Sequence, residues 1–235
     1  MVSRRRLRRF IYSHLWDLHF LTHSPWRQFT TITGLLGIAL AVSWLTPDHR
    51  LTHAPARPTP SVVTVSTDHP SESPLPASYH STATGNQPSF LNIPSISASG
   101  YVQAVGVDQN RQIAVPTNIH LAGWFANTVT PGDLGLSIID GHLDGYHLPG
   151  IFANLAQLKP GDTFEVDLAS GLKRAFRIRT VQSLPTSQAA GALFSQLPGV
   201  SRQLNLITCG GAFKQASGYD HRIVIAAEYL PPSSR

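Results

Sequence analysis

Residues 158–184 read LKPGDTFEVDLASGLKRAFRIRTVQSL, and this stretch decides the fold class. Lys159-Pro160-Gly161-Asp162 is a turn signal, because Pro presets its own backbone and Gly accepts conformations closed to other residues. Thr163 to Leu168 then alternates polar and apolar side chains, the period of a half-buried strand. AFRIRTVQSL (175–184) is a second β-type run. Working outward, similar runs occur at FLNIPSI (90–96), YVQAVGV (101–107), QIAVP (112–116), LGLSIID (134–140), QLNLIT (203–208) and RIVIAAEYL (222–230). Eight short strands at this spacing predict an all-β barrel or sandwich. Two short helices fit between them, over Gly150–Leu158 and Ser187–Gln196.

The chain ahead of this region has a different character. Residues 28–45, QFTTITGLLGIALAVSWL, carry no charge. As a helix they reach roughly 27 Å, close to the hydrocarbon thickness of a bilayer. Trp26 and Trp44 flank the run as interfacial aromatics do, and five arginines lie in the first nine residues. The positive-inside rule then places a basic cytoplasmic segment at 1–27, a single transmembrane anchor at 28–45 and the rest of the chain outside the cell. Residues 46–88 are dominated by Pro, Ser, Thr and His, and are expected to form a disordered stalk. The folded domain is then 89–235.

Charge follows the same division. Residues 1–60 hold eight basic and two acidic side chains, whereas 61–235 hold ten basic and eleven acidic ones. The basic balance belongs to the N-terminus, so the domain lacks the positive patch of a nucleic-acid reader.

There is one cysteine, Cys209, so no intramolecular disulfide forms. A lone cysteine is usually a small buried hydrophobe. This one follows the apolar run QLNLIT and precedes Gly210-Gly211, whose missing side chains admit close backbone approach. A cysteine nucleophile needs a base or cation nearby. Four histidines fall in the domain: His120, His142, His147 and His221. LGLSIIDGH repeats the pattern at Cys209, an apolar strand ending in a glycine and a reactive side chain, and so singles out His142. An acid as near as Asp140 tends to raise a histidine pKa. Arg222 opens the last strand, and pairing of that strand with QLNLIT brings its guanidinium beside the thiol. Taken alone, His142 also fits a surface turn and Arg222 a solvent-facing strand end. Metal ligation is not expected, because His142 and His147 have poor zinc spacing and no dense acidic loop accompanies Asp140 and Asp144. No cofactor is implied.

These residues resemble a known family. Leu206-Ile207-Thr208-Cys209 is similar to the Leu-x-Thr-Cys signature of sortases, Gly141-His142 to their histidine segment, and Arg222 to their active-site arginine. GHLDGYHLPGIFANLAQLKPGDTFEV follows their order of Gly-His, helix and Pro-Gly-Asp turn, and TCGGAF resembles the actinobacterial-type class F enzymes. The stretch Tyr219-Asp220-His221-Arg222 departs from class F, with the arginine where class A holds it. The resemblance covers about 89–230.

It implies a closed eight-stranded β-barrel with short helices and a membrane-anchored cysteine transpeptidase (an endopeptidase in its first half-reaction). Its substrates would be secreted proteins with a C-terminal Leu-Pro-x-Thr-Gly (LPxTG)-like signal. Its acceptor would be an amine of a peptidoglycan precursor or a pilin. In that scheme Cys209 is the nucleophile, His142 the acid and base, Arg222 the oxyanion or substrate ligand, and Thr208 orients substrate. The segment 183–200 would recognise the Leu-Pro portion. The rival readings are another cell-wall cysteine peptidase or L,D-transpeptidase, in which the order of His and Cys or the residue before Cys would differ, and a non-catalytic exported binding module.

Overall fold

A computed structural model describes residues 69–232. Eight strands run in the order β1 (Pro88–Ile93), β2 (Ala98–Val105), β3 (Ala122–Phe125), β4 (Gly135–Gly141), β5 (Thr163–Leu168), β6 (Lys173–Pro185), β7 (Arg202–Lys214) and β8 (Gly218–Leu230). They close into a barrel with neighbours β1-β2-β3-β4-β7-β8-β6-β5, which removes every open sheet edge. Two neighbour pairs are parallel, β2 with β3 and β4 with β7. The second of these positions the site.

The core follows from the alternation in the strands. Phe164, Val166 and Leu168 of β5 point inward, while Thr163 and Glu165 are exposed. Phe164 stacks on Phe176 of β6 with ring centroids 5.4 Å apart, and both rings are fully buried. Burying each such ring contributes about 2 kcal/mol. Phe152, Leu155 and Leu158 from the β4–β5 connection join the same core.

The expected helix over Gly150–Leu158 is only one 3-10 turn, Leu155–Gln157. Its apolar residues are buried as expected, but a single turn presents them. The second expected helix forms as α1 (Thr186–Leu193), which buries Ala189 and Leu193 one turn apart. The expected strand at 112–116 is absent from the barrel, and only an isolated bridge joins Val107 to Ile113. Its place is taken by β3, AGWF, whose four residues are all buried. A strand buried on both faces shows no alternation, so its sequence carries no strand pattern.

Strand β7 runs past Cys209 rather than ending before it, and pairs with β8 as far as Lys214 opposite Gly218. The register shifts between Gly210 and Phe213, where Gly211 has φ +78°. A Cβ there would sit 2.2 Å from Asp220 Oδ1, so Gly211 is required by backbone and space alike. Buried polar residues of β7 fasten the segment that follows α1. Gln203 Nε2 donates to Ser195 O at 2.9 Å, Leu197 N donates to Gln203 Oε1 at 2.7 Å, and Asn205 Nδ2 donates to Leu193 O at 2.7 Å.

Residues 69–87, read from the sequence as the end of the stalk, lie against the barrel. Ser71 N donates to Thr117 O at 2.9 Å, Ile119 N to Ser71 O at 3.0 Å and Asn118 Nδ2 to Ser73 O at 2.9 Å. Further along, Tyr79 packs on Tyr101 with centroids 5.0 Å apart. Polar composition misled here because the segment is held mainly through its backbone, which any side chain permits. The rest of the expected stalk (46–68), the basic segment 1–27 and the anchor 28–45 lie outside the described residues. Among the described residues no helix is long and apolar enough to cross a membrane.

Candidate active site

Strand register brings four sequence-predicted residues, His142, Thr208, Cys209 and Arg222, to one wall of the barrel. β4 and β7 run in parallel, with Asp140 level with Ile207. Thr208 and Cys209 therefore follow beside Gly141 and His142. The buried Thr208 hydroxyl donates to Gly141 O at 2.8 Å and ties the two strands at this level. On the other flank, Cys209 lies directly opposite Arg222 of β8. The thiol is thus flanked by the histidine strand on one side and the arginine strand on the other.

The side chains are held from outside the trio. His142 Nε2 lies 2.8 Å from Pro116 O, so in the neutral ring Nε2–H donates to this carbonyl. Nδ1 is then the nitrogen left for proton exchange. Arg222 Nη1 donates to His221 O at 2.9 Å, Tyr219 O at 3.1 Å and Thr186 Oγ1 at 3.3 Å. These bonds fix the guanidinium between the hairpin and the start of α1.

Burial lowers the His142 pKa, against opposing contributions from the Pro116 carbonyl and Asp144. Burial also pushes the Cys209 thiol up, with Arg222 pulling it back. Both shifts favour the neutral forms, so the resting pair is thiol and imidazole. Alkylation of Cys209 by iodoacetamide is accordingly expected to accelerate about tenfold per pH unit through neutrality and beyond pH 9. In Arg222→Ala the curve moves to still higher pH, because the cation that favours thiolate is gone. A rate independent of pH between about 6 and 8 would mean a preformed thiolate and contradict this account.

Asp140 behaves differently from the sequence expectation. Its side chain is buried and its Oδ1 has no hydrogen-bond partner. Oδ1 packs against Gly123, where an added Cβ would lie 2.1 Å away. Burial pushes this carboxyl well above its ordinary pKa, against a smaller opposing contribution from its own backbone N–H. The acid that raises the His142 pKa is Asp144 rather than Asp140, and burial outweighs it and takes the histidine the other way. There is a stability consequence. Between the unfolded and folded pKa values the native state holds a proton that the unfolded state has released, so stability falls as pH rises, by up to ~1.4 kcal/mol per pH unit. Asp140→Asn removes this dependence. Its stability relative to wild type, read from urea midpoints, is expected to rise between pH 5 and pH 7; an unchanged difference would contradict the assignment.

The other domain histidines are placed elsewhere. His221 faces Gly210 across the hairpin and its Nδ1 lies 2.7 Å from Asp220 Oδ1. That contact, with Ala212 N–H and Lys214, holds the Asp220 carboxyl far below the usual range. His120 Nε2 approaches Glu72 O at 3.3 Å, and His147 is an exposed residue of the loop after β4. Sequence reasoning missed three contributors: the Pro116 carbonyl, the hydrogen bond from Tyr219 OH to Asp144 Oδ2, and Pro70 of the N-terminal strap. That hydrogen bond, with burial second, pushes the Tyr219 pKa up to about 12. Only the Tyr219–Asp144 pair had a signal, two polar residues near His142 and Arg222. A cleft of about 520 Å³ opens beside the histidine, lined by Pro70, His142, Asp144, Gly145, Tyr146, Phe213 and Tyr219.

A cysteine between a histidine and an arginine, on the wall of a closed β-barrel, is a site suited to acyl transfer. The sortase domain family matches residues 91–230, which is most of the chain and all but the edge of the barrel. The chain therefore belongs to the sortase family, whose members are cysteine transpeptidases. Similar solved structures include sortase C-1 from Actinomyces oris, at 24% identity and a TM-score of 0.46, covering 61% of this chain and 73% of that one. The pilus-related sortase C of Group B Streptococcus aligns at 19% identity and TM-score 0.47, over 63% and 70%. A lid mutant of sortase A from Corynebacterium diphtheriae aligns at 21% identity and TM-score 0.48, over 63% and 73%. No curated protein sequence matches significantly.

Proposed function

We propose that the chain is a membrane-anchored sortase that cleaves an LPxTG-like signal through a thioacyl intermediate on Cys209 and passes the protein to a cell-wall or pilin amine. The observation that carries this reading is the placement of Cys209, opposite Arg222 on β8 and on the strand that neighbours β4, whose last residue directly precedes His142. Cys209 attacks the carbonyl of the sorting-signal Thr, giving its proton to His142 Nδ1. The new imidazolium then protonates the departing glycine amine as the carbon–nitrogen bond breaks. Arg222 stabilises the carbonyl oxygen as charge develops on it. Thr208 orients substrate through the strand position it fixes beside the thiol. The segment around α1, fastened by Gln203 and Asn205, recognises the Leu-Pro portion.

The 28–45 segment serves in this reading as a single-pass anchor, with 1–27 cytoplasmic and the catalytic domain extracellular. Anchoring confines the enzyme with its substrates at the outer leaflet and raises their effective concentration. TCGGAF supports a class F affinity, and Arg222 adjoining His221 is the departure from it. The test is to incubate the full-length protein with a fluorescence-quenched LPxTG-like peptide set, with and without an amine. Cleavage that depends on Cys209 and yields an amide product when amine is present supports the reading. Absence of Cys209-dependent cleavage across the motif variants would overturn it.

A further inference from the structure

The thioacyl step needs a second substrate, and the two flanks of Cys209 differ in what they offer. The Arg222 flank is bounded by α1 and the end of β6, with Leu184 opposite Arg222. The His142 flank opens into the 520 Å³ cleft, whose lining residues include one carboxylate, Asp144, and no lysine or arginine. Tyr219 OH donates to Asp144 Oδ2, which fixes the carboxyl and leaves Oδ1 for another donor. Three aromatic side chains stand around it. Tyr146 and Phe213 are 66% and 64% exposed, unusual for rings of this size, and Phe213 packs edge-on against Tyr219 with centroids 5.3 Å apart. A carboxylate among exposed aromatic faces is the chemistry that holds an ammonium group, through charge-assisted hydrogen bonds and cation–π attraction.

We propose that this cleft is the acceptor port and that Asp144 holds the ammonium of the incoming amine beside His142. The inference rests on the transpeptidase reading above and specifies its second substrate as a cationic primary amine. The N-terminal strap takes part in the port. Pro70 lines it, His69 stacks on Tyr146 with centroids 5.5 Å apart, and His147 N donates to Glu72 Oε1 at 2.9 Å. Residues just before the barrel thus shape the wall that the acceptor meets.

The bound ammonium loses one proton to solvent and becomes the nucleophile. Its nitrogen attacks the thioester carbonyl, the new carbon–nitrogen bond forms and the carbon–sulfur bond breaks. The second proton passes by way of His142 Nδ1 to the departing sulfur, which restores the Cys209 thiol. Asp144 is a binding group in this scheme and exchanges no proton.

The test reads the ratio of aminolysis to hydrolysis of the thioacyl enzyme, which does not depend on how fast that enzyme forms. Two nucleophiles are compared in the full-length protein: glycylglycinamide, which is an ammonium at neutral pH, and hydroxylamine, which is uncharged there. Asp144→Asn is expected to lower the ratio about tenfold for glycylglycinamide and less than about twofold for hydroxylamine. Asp144→Glu is expected to restore most of the charged-amine preference. Tyr219→Phe, which keeps the ring and the carboxylate but loses the bond that fixes the carboxyl, is expected to lower it only about two- to threefold. Equal loss for both nucleophiles, loss in Tyr219→Phe as large as in Asp144→Asn, or no loss at all would overturn the port assignment while leaving Cys209-dependent cleavage standing. Wild-type protein that cleaves nothing through Cys209 would remove the transpeptidase reading and the port together.

Discussion

Cys209→Ala is expected to lower cleavage of the sorting peptide by at least about 1,000-fold while leaving the thermal unfolding midpoint close to wild type. The magnitude follows from the role: without sulfur there is no thioacyl intermediate, and the remaining groups can only assist water. The structural cost is small because the thiol is half-buried and removes little apolar surface when truncated. Hydrolysis and transfer should fall together, since both pass through the same intermediate. Peptide cleavage followed by product chromatography reads both. A variant that keeps more than about a tenth of wild-type cleavage would make Cys209 a bystander.

His142→Ala is the second large effect, with an expected loss of roughly 100- to 10,000-fold, the range for a positioned general acid and base. His142 is asked to act twice, taking the thiol proton and then protonating a poor leaving group. The resting neutral pair makes this demand heavier, because no preformed thiolate bypasses the first transfer. A peptide whose scissile amide is replaced by an ester needs less help in departure. The loss in His142→Ala should therefore be several-fold smaller on the ester than on the amide, measured as kcat/KM on each. An equal loss on both substrates would assign His142 to activation of the thiol alone.

The nearness of Cys209 to the strands of His142 and Arg222 was legible in the sequence because each residue adjoins an apolar strand, and strands are what fix side chains in space. LGLSIIDGH, QLNLITC and RIVIAAEYL each read as a strand with a reactive residue at its edge, and the parallel and antiparallel pairing of β4, β7 and β8 does the rest. The strand β3 was not legible, because AGWF is short and buried throughout. Gln203 and Asn205 sat in a run read simply as apolar, yet they anchor the segment after α1. Pro116 gave no signal at all, since its contribution is a backbone carbonyl that every residue possesses. The strap at 69–87 was hidden by its stalk-like composition, for the same reason. Asp140 was visible as an acid near the histidine, but its burial and the raised pKa that follows belong to tertiary packing.

The central claim is a covalent acyl group on one sulfur, and intact-mass spectrometry tests it most directly. Full-length protein mixed with an LPxTG-like peptide and quenched in acid is predicted to gain the mass of the peptide's N-terminal portion through Thr. Digestion should place the adduct on Cys209, and hydroxylamine should remove it. Turnover of the peptide with no such adduct, even in the absence of amine acceptor, or with an adduct on any other residue, would contradict the account.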